Sequence, residues 1–153
     1  MTRSTTFFAL AALSCLPILA QSTDPIPTQD AGVARAVIID RAEVRVLRVE
    51  IQPGATRRIH QHDDVRYHLF LPLTAGIELT VGSEKPVLTA AGKAYFMSKG
   101  TPHGFRNTGT SVAMAFEVFV KPDASAAAMP KDSKPETVLD ALAWTLALAS
   151  PTH

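Results

Sequence analysis

The chain of 153 residues has one cysteine, Cys15, and that scarcity removes two architectures at once. A disulfide framework needs pairs of thiols and a thiolate zinc site needs several, so neither can form within one chain. Charge of one sign is also lacking. The formal net charge is +1 with no run of basic residues, which leaves a nucleic-acid partner without an electrostatic footprint. No repeat of fixed period occurs. Charged residues make up 19% and apolar residues 46%, a balance that suits a globular core rather than a disordered chain. The length has room for one domain and its ends.

The most sustained apolar run lies at the start. Arg3 gives a short positive opening, Phe7 to Ala20 is nearly unbroken hydrophobe, and Ile18-Leu19-Ala20 precedes Gln21 as a cleavage site. Residues 1–20 are expected to be a signal peptide, which makes the protein exported, periplasmic or secreted. The run is shorter than the ~20 apolar residues that span a bilayer, so no stable membrane insertion is expected after cleavage. An acylated Cys15 after Ala12-Leu13-Ser14 is the alternative, but Leu16-Pro17-Ile18-Leu19 continues the apolar run past the thiol. Cleavage after Ala20 leaves a mature chain without cysteine and restricts any metal site to histidine and carboxylate ligands.

Residues 21–32, with Ser, Thr, two Pro and two Asp, read as a linker or N-terminal arm. Residues 33–121 alternate short β patterns with turn signals. Leu47, Val49 and Ile51 alternate with Arg48 and Glu50, and Pro53-Gly54 turns the chain. Further segments are expected from Arg57 to Leu71 (broken at Asp63-Asp64), at Ile77 to Val81, Val87-Leu88, Ala94 to Met97, His103 to Asn107 and Val112 to Val120. This spacing, with no helical period among the segments, indicates an all-β barrel or sandwich. Residues 122–134 form a second linker. A C-terminal α-helix is expected over 135–149, where Ser133 and Glu136 have capping-box spacing and Pro135 sits in the first turn. Its surface is apolar nearly all round, which calls for docking on the barrel or a partner subunit. A homodimer is the expected assembly.

Three of the five histidines fall in one pattern. His60 and His62 are spaced i, i+2, which places both on one side of an extended segment. His103 stands about forty residues on, in Gly100-Thr101-Pro102-His103-Gly104-Phe105-Arg106-Asn107. A third imidazole from a distant strand completes a facial nitrogen set for a divalent transition metal. Asp64 and His68 share the parity of His60 and His62 and could each add a ligand.

Gly54, five residues, His60, Gln61 and His62, then Gly92, Ser98, Gly100, His103 and Asn107, resemble the two motifs of the cupin superfamily. That resemblance implies a double-stranded β-helix (jelly-roll) barrel over about ninety residues. It also implies a divalent Fe, Mn, Zn or Ni ion on His60, His62 and His103, and oxygenase- or isomerase-like chemistry on a small molecule. One departure stands out: Arg66 and Tyr67 occupy the positions of the family's glutamate ligand. Arg66 is either a surface residue or an inward group for an anionic ligand, and Tyr67 and Phe105 are either packing residues or companion substrate contacts. The alternative reading is a metal-free barrel serving as a small-ligand-binding or dimerisation module.

Overall fold

A computed structural model gives the protein over residues 25–26 and 30–122. The signal peptide expected at 1–20 and the helix expected at 135–149 lie outside the described residues. Ten strands follow in chain order: β1 Pro25–Ile26, β2 Val33–Asp40, β3 Val44–Ile51, β4 Thr56–His60 and β5 Tyr67–Pro72, then β6 Ile77–Val81, β7 Val87–Leu88, β8 Tyr95–Ser98, β9 His103–Asn107 and β10 Ala113–Val120. They form two antiparallel sheets, β1-β2-β3-β10-β5-β8 and β4-β9-β6-β7, and no helix occurs among the described residues.

The two sheets pack face to face because each strand presents alternate apolar side chains inward. Val49 and Ile51 of β3, Phe70 of β5, and Ile77 and Leu79 of β6 are all fully buried in one cluster with Phe105 of β9. Phe70 and Phe105 stack across the two sheets with ring centroids 4.9 Å apart. Each such side chain contributes roughly 1.5–3 kcal/mol relative to an exposed position. On the six-stranded sheet the outward face is apolar as well, since Val44, Leu69, Leu71 and Val118 form a second buried cluster.

The smaller sheet departs from regular pairing at its β4 edge. The β4–β9 register shifts between Arg57 and His60, so one extra residue on β4 sets His60 directly opposite His103. The bulged backbone comes very close to β9 at Gly104, where a Cβ would meet the carbonyl oxygen of Arg57 at 2.8 Å. Only glycine fits there.

The last residue of the second motif, Asn107, fastens the loops. It is fully buried, donates from Nδ2 to the carbonyls of Ile51 and Ser111 (2.8 Å each), and accepts the Gly109 N–H at Oδ1 (2.9 Å). Asn107→Ala leaves all three backbone groups short of a partner. The expected loss is roughly 3 kcal/mol of unfolding free energy, read from urea midpoints at constant m. A loss under ~1 kcal/mol would show that these bonds are replaceable.

Candidate metal centre

Four side chains from three parts of the chain meet between the sheets. His60 ends β4, His62 follows two residues later, His103 opens β9, and Glu117 lies in the middle of β10. Each offers one ligand atom, and those atoms all lie within 4.8 Å of one another. The ring centroids of His60 and His103 are 4.4 Å apart, those of His60 and His62 5.0 Å, and those of His62 and His103 5.3 Å.

Two of the histidines are held in one tautomer by nearby backbone. His60 Nδ1 lies 2.9 Å from the carbonyl of Arg58, and His103 Nδ1 lies 2.9 Å from the carbonyl of Thr101. A carbonyl can only accept, so Nδ1 carries the proton in both rings and Nε2 keeps its lone pair. Those Nε2 atoms point at the cluster. The Nε2 atoms of His60, His62 and His103 and the Oε1 atom of Glu117 are buried and have no hydrogen-bond partner among the described residues. Four convergent, unsatisfied lone-pair atoms are what a divalent cation requires and what a packed core avoids.

Burial also sets the protonation states. It lowers the pKa of His60 to about 4, with further repulsion from His103, and it lowers that of His62 to about 4. His103 is lowered for the same reason. All three imidazoles are therefore neutral near pH 7, the form that binds metals. Glu117 moves the other way. Burial raises its carboxyl to about 7, against the pull of Arg35 and Arg57.

Glu117 brings to the cluster a carboxylate, which the first motif lacks. The sequence alone does not single it out, because β10 reads only as a closing hydrophobic strand. The signal available is local: Glu117 is the lone charge in Ala113 to Val120 and shares the inward phase of Ala115 and Phe119.

The other residues singled out from the sequence fall elsewhere. Asp64 is exposed and is not among the four converging groups, because the chain leaves the smaller sheet after His62 and carries Asp63-Asp64 outward. His68 does face inward, as its parity requires, with its ring centroid 4.6 Å from that of His103 and 5.1 Å from that of His62, although it is not one of the four converging groups. It is fully buried, lies 3.5 Å from Glu117 Oε1 through Nε2, and stacks on Phe119 at 4.5 Å. Burial pushes its pKa well below the ordinary histidine value, so it meets Glu117 as a neutral ring. Arg66 is half-buried immediately before β5. Its Nη2 donates to the carbonyl of Pro122 at 3.2 Å. Tyr67 packs against Phe96, with ring centroids 5.0 Å apart, on the outward face of the large sheet, in phase with Leu69 and Leu71. Phe105 belongs to the core.

A second charged group was also hidden in the expected linker. Asp30 is buried and takes both Arg57 and Arg58 (Nε to Oδ1 2.6 Å) on its carboxylate. Burial alone would raise its pKa, but the two guanidinium hydrogen bonds outweigh it and hold the group below the usual carboxylate value. The pair fixes the base of β4 beside the bulge that aims His60.

Comparison with known proteins agrees with this fold. Residues 47–119 match the family described as Cupin domain. Among solved structures, KdgF from a Halomonas species superposes with a TM-score of 0.56 at 17% identity, covering 64% of this chain and 86% of that one. A predicted oxalate decarboxylase from Thermotoga maritima gives 0.57 at 21%, covering 64% and 90%. A cupin domain from Bordetella pertussis Tohama I gives 0.51 at 23%, covering 62% and 99%. At these identities the likeness speaks for the fold. No curated protein matches the chain.

Proposed function

This chain is a small protein of the cupin superfamily, and on that footing we propose that it is a metal-dependent enzyme acting on a small molecule between its two sheets. His60, His62, His103 and Glu117 would hold one divalent Fe, Mn, Zn or Ni ion. The observation that carries this reading is the convergence of three buried Nε2 atoms and Glu117 Oε1, none of which has a hydrogen-bond partner among the described residues. Bound there, the ion would supply Lewis acidity and open coordination positions of the kind that oxygenase- and isomerase-like reactions use.

The remaining work falls to the chain itself. The Arg58 and Thr101 carbonyls hold His60 and His103 in orientation. Phe119, edge-on to His62 at 4.8 Å and stacked on His68, is an apolar wall on that side of the cluster. His68, a neutral ring with Nε2 3.5 Å from Glu117 Oε1, lines the inner side of that carboxylate. Export through residues 1–20 and assembly as a homodimer belong to the same proposal, on the strength of the apolar start and the apolar stretch at 135–149.

The test is elemental analysis of protein purified without an affinity tag or chelator, then reconstituted with Fe(II), Mn(II), Zn(II) and Ni(II) in turn. One tightly held ion per chain is the expected result. No uptake with any of the four would overturn the enzyme reading in favour of a metal-free binding module.

A further inference from the structure

One inward-facing charge has no part in the metal centre. Arg35 on β2 stands opposite Val49 of β3, so its side chain shares the inner face with Val33 and Val37. It is half-buried, and its buried Nε has no hydrogen-bond partner among the described residues. It lines a cavity of about 410 Å³ that also takes in His62, Leu47, Val65 and Phe119. The cavity therefore reaches the cluster at His62.

The other charges around this cavity are already engaged. Arg45 and Lys121, on its rim, both contact Asp40 at 2.6 Å. Asp64, the acidic lining residue, is exposed and attracts Arg45. Arg57 is held by Asp30. Arg35 has longer-range attraction to Glu117 and Asp30, and Arg57 repels it. A half-buried guanidinium whose Nε lacks a partner among the described residues, set against apolar walls, is stabilised most by a planar two-oxygen anion.

We infer that Arg35 is the anion-binding group of this cavity, and that the molecule taken there is a small organic carboxylate with an apolar body. The inference rests on the metal reading for its charge balance. A divalent ion together with Arg35 against the single carboxylate of Glu117 leaves an excess of two positive charges, which an anionic ligand reduces. The nearly buried side chains of Leu47, Val65 and Phe119 receive the hydrocarbon part. A space of this size suits a molecule of a few heavy atoms up to drug size.

Calorimetric titration of butyrate and of its neutral isostere butyramide into the zinc-loaded and the metal-free protein tests this. Butyrate should bind wild type at least tenfold more tightly than butyramide. Arg35→Met should weaken butyrate roughly ten- to hundredfold, the range of a lost charge-assisted pair, and leave zinc content unchanged. Arg35→Lys should recover part of the loss. Butyramide binding as well as butyrate overturns the inference, and that comparison decides the matter even if the methionine variant does not fold. So does butyrate affinity in folded Arg35→Met within twofold of wild type. Failure of the metal reading is separate. It appears as absent zinc, while butyrate should still bind the metal-free protein through Arg35.

Discussion

Alanine at both His60 and His103 is expected to abolish metal retention while the barrel stays folded. Two of four converging ligand atoms are removed, and the loss should exceed about a thousandfold in affinity, or roughly 4 kcal/mol. Neither imidazole carries the core. The packing between the sheets rests on Phe70, Phe105, Ile77, Leu79, Val49 and Ile51, none of which the substitution touches. His103 is fully buried, so some stability is lost with its volume, on the order of 1–3 kcal/mol. A chelator competition assay on the purified variant, with circular dichroism to confirm the fold, separates the two effects. Unchanged metal content in the double variant would mean that the ion is bound elsewhere.

Glu117→Gln is expected to produce opposite effects with and without metal. In the loaded protein it removes the one anionic ligand, and affinity should fall at least a hundredfold. Uptake of metal by wild type at pH 6 should release close to one proton, because the carboxyl, raised to about 7, is mostly protonated there and must ionise to coordinate. The glutamine variant should release about one proton fewer. Titrations in two buffers of different ionisation enthalpy give both numbers. In the metal-free protein the sign reverses. Folding holds the Glu117 proton up to about pH 7, whereas the unfolded chain loses it near the ordinary value of 4.5. Stability from this group is therefore present below 4.5 and is lost as pH rises towards 7, by roughly 3 kcal/mol. The variant lacks that decline, so its stability relative to wild type should grow between pH 4.5 and 7.

His60 and His62 pull against this trend in both proteins. Their folded pKa values near 4 lie below the ordinary 6.5, so their contribution is full above 6.5 and is lost as pH falls towards 4. The difference between variant and wild type isolates Glu117. A metal-free stability difference that does not change with pH would contradict the burial assigned to this carboxylate.

Most of the scaffold is readable because its strands obey simple alternation. Leu47, Val49 and Ile51 announce β3, and the His60–Gln61–His62 and Gly100–Asn107 stretches announce the two edges of the site. What the sequence hides is which strand lies beside which. Glu117 and Arg35 are lone charges in apolar stretches, both in the inward phase, yet their neighbours depend on the strand order β2-β3-β10-β5. Local pattern does not contain that order. Parity counting from His62 to Asp64 fails for a related reason, since the chain crosses between sheets there and the phase is not carried over a turn. Asp30 is concealed by its setting among Pro, Thr and Gly, where nothing marks a buried carboxylate until Arg57 and Arg58 are seen to close on it.

One position in space decides whether this barrel is a metalloprotein. Crystals grown from zinc-reconstituted protein and measured on both sides of the zinc absorption edge would locate the ion directly. An anomalous peak bonded at about 2.0–2.2 Å to Nε2 of His60, His62 and His103 and to an oxygen of Glu117 is the predicted outcome. A peak at any other side chains, with these four still turned on one another, would contradict it.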